Sequence, residues 1–192
     1  MGKDRLAAFS DGVIAIIITI MVLELKIPHG ADFADLKPVA PHFASYVLSF
    51  IYIGIYWNNH HHMLHTVTRV DGLILWANSN LLFWLSLIPA TTAWLGDTYP
   101  APLPVAVYGV TLLMPAIAYV LLQYAIIHRQ GRRSVLASAI GSDFKGKISP
   151  LLYIGGIALA FVNPLISIAL YVLVAAIWLV PDRRIEKVIG ES

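Results

Sequence analysis

The chain has 192 residues, of which 58% are hydrophobic and only 12% charged. A soluble domain carries roughly 25% charged residues, so a soluble globular fold is excluded and an integral membrane protein is predicted. The formal net charge of +2 offers no strongly basic surface for nucleic acid, and the absence of cysteine removes disulfides and thiolate metal sites.

Roughly 20 apolar residues in a helix cross the hydrocarbon core of a bilayer. Six segments qualify: Leu6 to Leu25, Pro41 to Trp57, Gly72 to Leu95, Pro104 to Ile127, Ile148 to Val162 and Pro164 to Val180. The last two are short, and Asn163-Pro164 is the only break between them. A tight helical hairpin is expected there, with the proline opening the second helix; one long re-entrant element is the alternative. The first run lacks a small-residue cleavage site and continues to spanning length, so it reads as a span and not as a signal peptide. No internal repeat, long linker or low-complexity tract is apparent. Residues 1–192 are expected to form a single all-α domain of six transmembrane helices.

The loops set the orientation. Lys3 and Arg5 precede the first helix, Arg69 follows the second, and Arg129, Arg132, Arg133, Lys145 and Lys147 lie between the fourth and fifth. Arg183, Arg184 and Lys187 follow the sixth, so only Lys26 and Lys37 lie on the other side. The positive-inside rule places both termini in the cytoplasm, and an even helix count agrees with that; the protein is expected in the cell membrane. Trp57, Trp76, Trp94, Tyr99 and Trp178 fall near predicted helix ends, as in an aromatic belt.

Arg5, Ser10 and Asp11 sit at the mouth of the first apolar helix. Charge near the centre of such a helix costs about 2.5–3.5 kcal/mol on insertion scales. On an ideal helix Arg5 and Asp11 are about 240° and about 9 Å apart, so each must find a partner elsewhere or reach water. Candidates at matching depth are Trp57-Asn58-Asn59-His60-His61-His62 at the end of the second helix, and Asn78 and Asn80 in the first turns of the third. The cluster reads either as a structural clasp that satisfies polar groups between helices or as a proton- or ion-binding site. His61 and His65 have the i,i+4 spacing of two zinc ligands. However, there is no H-E-x-x-H, and Asp71 and Asp11 are the only plausible third ligands, so no metal is assigned.

Between Asp11 and Glu24 the first helix carries no charge. Gly12, Ile16, Thr19, Ile20 and Leu23 fall on one stripe about 100° wide, but Ile14, Ile17, Ile18 and Met21 make the rest equally apolar. Periodicity alone does not separate a pore stripe from a packing stripe.

The pattern R-x-x-x-F-S-D, here Arg5, Phe9, Ser10 and Asp11, opens a first helix that continues into isoleucines. It resembles the signature of the transmembrane protein 175 family of lysosomal potassium channels and their single-repeat prokaryotic relatives. The Tyr56-Trp57-Asn58-Asn59-His60-His61 and Asn80-Leu-Leu-Phe…Ile88-Pro89-Ala-Thr stretches are similar to that family's other recurrent segments. The resemblance implies a homotetramer whose four first helices line a potassium-permeable pore without a T-V-G-Y-G filter. This chain has none; Val107-Tyr108-Gly109-Val110 is not a match. The resemblance maps the pore constriction and gate to Ile16, Ile20 and Leu23, and a threonine past the constriction to Thr19. Where some members carry a serine before the constriction, this chain has Ala15. Four branched side chains on an axis make a neck that gates by dewetting. Thr19 is then the nearest hydroxyl to a partly hydrated ion, and Glu24 either concentrates cations at the mouth or simply faces solvent. The expected partners are other copies of the chain, the lipid bilayer, and K+ with other monovalent cations as permeant ions; no cofactor, no enzymatic activity and no nucleic acid are implied. The alternatives are a proton-coupled secondary transporter titrating at Asp11, against which no inverted repeat appears, and a metalloenzyme built on the histidines.

Overall fold

The structure, a computed structural model, describes residues 2–131, 134, 136–137 and 144–179. All the elements among these residues are helical: α1 (Lys3–Leu23), α2 (Ala40–His65), α3 (Gly72–Ser86), α4 (Ile88–Thr98), α5 (Pro102–Gln130), α6 (Phe144–Leu159) and α7 (Pro164–Leu179), with a short 3-10 turn at Phe33–Leu36. Arg132, Arg133, Arg183, Arg184 and Lys187, which carry much of the orientation argument, lie outside the described residues.

Helix starts follow local chemistry. Asp71 caps α3, its carboxylate accepting from the Ile74 amide at 3.0 Å, as N-cap residues do. Prolines occupy the first turns of α2, α4 and α5, where a missing N–H costs nothing. The third span is expected as one helix, but it breaks at Leu87, two residues before Pro89. A proline there has no amide to continue the helical ladder, so α3 and α4 divide the 72–98 span. In α5 the helix runs through Pro115 without interruption.

By length and composition the spans Lys3–Leu23, Gly72–Thr98 and Pro102–Gln130 can each cross a membrane, and Pro164–Leu179 is a shorter apolar helix. The α2 helix is 26 residues long yet less apolar, because one face carries the buried His42, Ser45, Ser49 and His60. It also continues two turns past Trp57, the expected end of the second span, through the asparagines and histidines. Hydropathy cannot register polar residues as helix.

The expected hairpin near Asn163 is present. The Asn163 side chain accepts from the Leu165 amide at 3.0 Å, starting α7. A Cβ on Gly156 would meet the Tyr171 ring; seven residues back along α6, Ser149 accepts from Trp178, seven residues on along α7, at 2.8 Å. Such a register is that of antiparallel helices, so the 144–179 stretch is a helical hairpin.

Two apolar clusters form the interior. One joins α1, α3 and parts of α2 and α5 through Leu6, Ile14, Ile17, Met21, Leu81 and Leu122. The other joins α2, α5, α6 and α7 around Tyr52, Tyr108, Tyr153 and Tyr171. The first cluster fixes one face of α1, and with it the placement of everything on the opposite face.

Candidate functional site

Three helices meet in one polar chain beside the start of α1. Ser10 donates to the Leu6 carbonyl at 2.9 Å, and Asn78 of α3 donates to Ser10 Oγ at 3.0 Å. The Asn78 amide oxygen then pairs with His60 Nε2 of α2 at 2.7 Å. Because an amide oxygen only accepts, His60 must carry its proton on Nε2. All three side chains are buried, so each bond prevents an unpaired polar group at membrane depth, which is why such bonds recur between membrane helices. Beside this chain, Trp57 donates its indole N–H to Asp11 Oδ1 at 3.0 Å. Ser10 and Asp11 thus tie α1 to α3 and α2 respectively.

The other residues of the cluster stand apart. Arg5 is exposed. His61 is exposed, with its ring 6.0 Å from that of Trp57 and its Nε2 3.1 Å from that of His65 on the next turn. Asn80 lies two residues past Asn78, about 200° around α3, and Asn58 lies two residues before His60; neither joins the chain. Asn59 instead donates back to the Ile55 carbonyl at 2.8 Å. Among the described residues no group of three His, Asp or Glu side chains could hold a metal ion.

On α1 the buried stripe is Leu6, Ser10, Ile14, Ile17 and Met21, centred about 120° from Ile16. The Ile16–Ile20–Leu23 stripe is left uncovered by the described residues: Ile16 is 59% exposed, Ile20 42% and Leu23 82%, with Phe9 also exposed. Thr19 is exposed and donates to the Ile16 carbonyl at 2.9 Å. Its hydroxyl oxygen keeps lone pairs for a further contact. Glu24 is exposed at the C-terminal end. Among the described residues, none covers Ile16, Ile20 or Leu23 as a packing partner would.

A second polar group ties down the far end of α1, and the sequence argument did not anticipate it. Lys26 and His42 both hold Asp97, His42 through Nε2 at 2.6 Å. Below it on α2, Ser45 donates to the Thr92 carbonyl, and Ser49 shares hydrogen bonds with Thr92 at 2.7 Å and Tyr108 at 2.8 Å. The signal was the three- and four-residue spacing of His42, Ser45, Ser49 and Tyr52, one face of a helix.

The family model described as Endosomal/lysosomal potassium channel TMEM175 matches residues 5–89, the stretch that supplies α1, α2 and α3 and hence the whole clasp. A potassium channel of Chryseobacterium sp. (strain P1-3) is 57% identical over 192 residues, covering all of both chains. The chain belongs to the TMEM175 family. Another relative, a potassium channel of Streptomyces collinus (strain DSM 40733 / Tue 365), is 31% identical over 90% of this chain and 89% of its own. The crystal structure of a lysosomal potassium-selective channel TMEM175 homolog from Chamaesiphon minutus matches with a TM-score of 0.81 at 29% identity, covering 94% of this chain and 97% of that one. These relatives of the TMEM175 chain are named as channels and not as enzymes.

Proposed function

We propose that this chain is a potassium-permeable cation channel of the cell membrane, a homotetramer with cytoplasmic termini in which α1 of each subunit lines a central pore. Ile16, Ile20 and Leu23 form the constriction and gate. The observation that carries this reading is the uncovered Ile16–Ile20–Leu23 stripe on a helix whose other face is held by the clasp and the apolar core. Pinning one face and leaving the other without a partner is what a helix needs in order to meet its own copies on an axis. The names of the relatives support potassium as the permeant ion.

The stripe spans about 10 Å along the axis. Rings of four isoleucines or leucines there give an ion no oxygens to replace its water, so the neck conducts only when the rings retract and it is wetted. Thr19 supplies a hydroxyl between the Ile16 and Leu23 rings. No T-V-G-Y-G loop is needed for this mechanism.

Ile16→Asn is the test. With four amides in place of four apolar ends, unitary conductance of purified channel in planar bilayers is expected to rise and the K+/Na+ bi-ionic reversal potential to move toward zero. Unchanged currents would exclude Ile16 as the constriction. Asp11→Asn separates the channel from the proton-coupled transporter: a channel keeps carrying K+ down its gradient with no driving ion, whereas a carrier titrating at Asp11 stops.

A further inference from the structure

Beyond the clasp residue His60, the last turns of α2 carry two histidines with no part in the clasp or the pore. Trp57, His61 and His65 follow one another at four-residue spacing, which stacks their side chains on one face of the helix. The His61 and His65 rings stand edge to face with centroids 4.5 Å apart, and their Nε2 atoms approach to 3.1 Å. Both side chains are exposed among the described residues. A hydrogen bond between two exposed imidazoles gains little, because water serves either nitrogen as well. Two ring nitrogens that converge on one point from solvent have another use.

We propose that His61 and His65 chelate a divalent transition-metal ion of the zinc type through their Nε2 atoms, with water in the remaining positions. Distance supports this. Two nitrogens bound to one ion at the usual Zn–N length of about 2.0–2.1 Å stand about 2.8–3.0 Å apart at a bond angle of about 90°, and about 3.3–3.4 Å apart at the tetrahedral angle. The observed 3.1 Å lies between the two, so the ion replaces the proton between the rings with the rings close to where they stand. Imidazole suits borderline ions such as Zn2+, Cu2+ and Ni2+, whereas Mg2+ and Ca2+ take oxygen ligands. Exposure supports it too, giving the ion an entry path and water to complete its shell. Trp57, whose ring centroid is 6.0 Å from that of His61, donates to Asp11, which places a carboxylate on the same side of α2 as the dication.

Two protein ligands define the kind of site. A structural zinc has four and a catalytic zinc three, and no third His, Asp or Glu completes the pair among the described residues. The chelate is therefore exchangeable, filling and emptying with the concentration of free ion. An ion that bridges one turn stabilises the helical state of α2, starting one turn beyond Trp57, the residue that holds Asp11 of α1. The site is thereby linked to the tie that fixes the rotation of α1.

Isothermal titration of the untagged, full-length protein in detergent with ZnCl2, and separately with MgCl2, tests this. One Zn2+ per subunit is expected to bind saturably, and Mg2+ to give no heat beyond dilution. Loss of even an outer-sphere partner costs about 10–100-fold in metal affinity. His61→Gln and His65→Gln each remove a ligand, and each is expected to weaken Zn2+ binding at least about tenfold. His29→Gln, in the exposed loop between α1 and α2, is expected to leave it unchanged. No saturable Zn2+ binding, Mg2+ binding as tight as that of Zn2+, or wild-type Zn2+ affinity in His61→Gln or His65→Gln overturns the assignment. The readout is binding to α2 and needs no conduction, so its failure leaves the pore reading untouched.

Discussion

At the scale of single residues, Asn78 is the junction of the clasp. Among the described residues it is the side chain that both donates to α1 and accepts from α2. Replacing it by alanine strands His60 Nε2 in a buried place, while Ser10 keeps only its bond to the Leu6 carbonyl. Interhelical hydrogen bonds in membranes average about 0.6 kcal/mol and reach about 1.7, while an unsatisfied buried group costs about 1–3 kcal/mol. Asn78→Ala is therefore expected to destabilise the folded channel by about 1–3 kcal/mol in reversible unfolding from micelles. A double-mutant cycle with His60→Ala is expected to give a coupling near 1 kcal/mol; additivity would mean that the two side chains do not act together. Trp57→Phe removes only the donor to the half-exposed Asp11 and is expected to cost less than Asn78→Ala in the same assay. The individual clasp candidates were legible from Ser10, Asp11, Trp57, His60 and Asn78 being polar at one depth. Which of them meet was not: Asn78 joins and Asn80 does not, since two residues turn a helix by about 200°.

At the scale of elements, close packing of α5, α6 and α7 rests on missing side chains. A Cβ on Gly109 would lie 2.0 Å from Tyr171 Oη and 2.8 Å from Ile157 Cγ1. The Tyr171 hydroxyl is not free to retreat, because it donates to the Val105 carbonyl from a fully buried ring. Small residues at such crossings let membrane helices approach closely. Gly109→Ala is expected to cost about 1–3 kcal/mol by overpacking, while Gly54→Ala, where a Cβ meets nothing within 4 Å, is expected to be neutral or slightly stabilising. A thermal-denaturation comparison of the two variants checks this; equal midpoints would show that the helices separate easily. Glycine within an apolar run announces a close approach only generically. The partner, Tyr171, is 62 residues away in sequence, and no local pattern points to it.

For the whole molecule, charge and shape divide the labour. The uncovered stripe of α1 ends at Leu23, one residue before the exposed Glu24. If Glu24 rings the pore mouth, four carboxylates raise the local K+ concentration by an effect that salt screens over about 8 Å at 0.15 M and about 3 Å at 1 M. Glu24→Gln is expected to lower K+ conductance clearly in dilute salt and very little at 1 M. An equal reduction at both would place Glu24 in the permeation path itself, and no reduction at either would leave it facing solvent without a role. At this scale the sequence by itself determined that the chain is helical and membrane-bound: 58% of its residues are apolar and 12% charged, and its apolar runs approach the roughly 20 residues of a spanning helix, which satisfies its own backbone in lipid. It also marked the order of the spans and, through R-x-x-x-F-S-D, the family. Only the tertiary structure decided which face of an all-apolar α1 is inside. Ile14, Ile17 and Met21 are buried while Ile16, Ile20 and Leu23 are bare, yet the two sets are chemically alike. A helix that is hydrophobic all round carries no moment to orient it; its rotation is fixed by Ser10 reaching Asn78 and Asp11 reaching Trp57, contacts that exist only once three helices have packed.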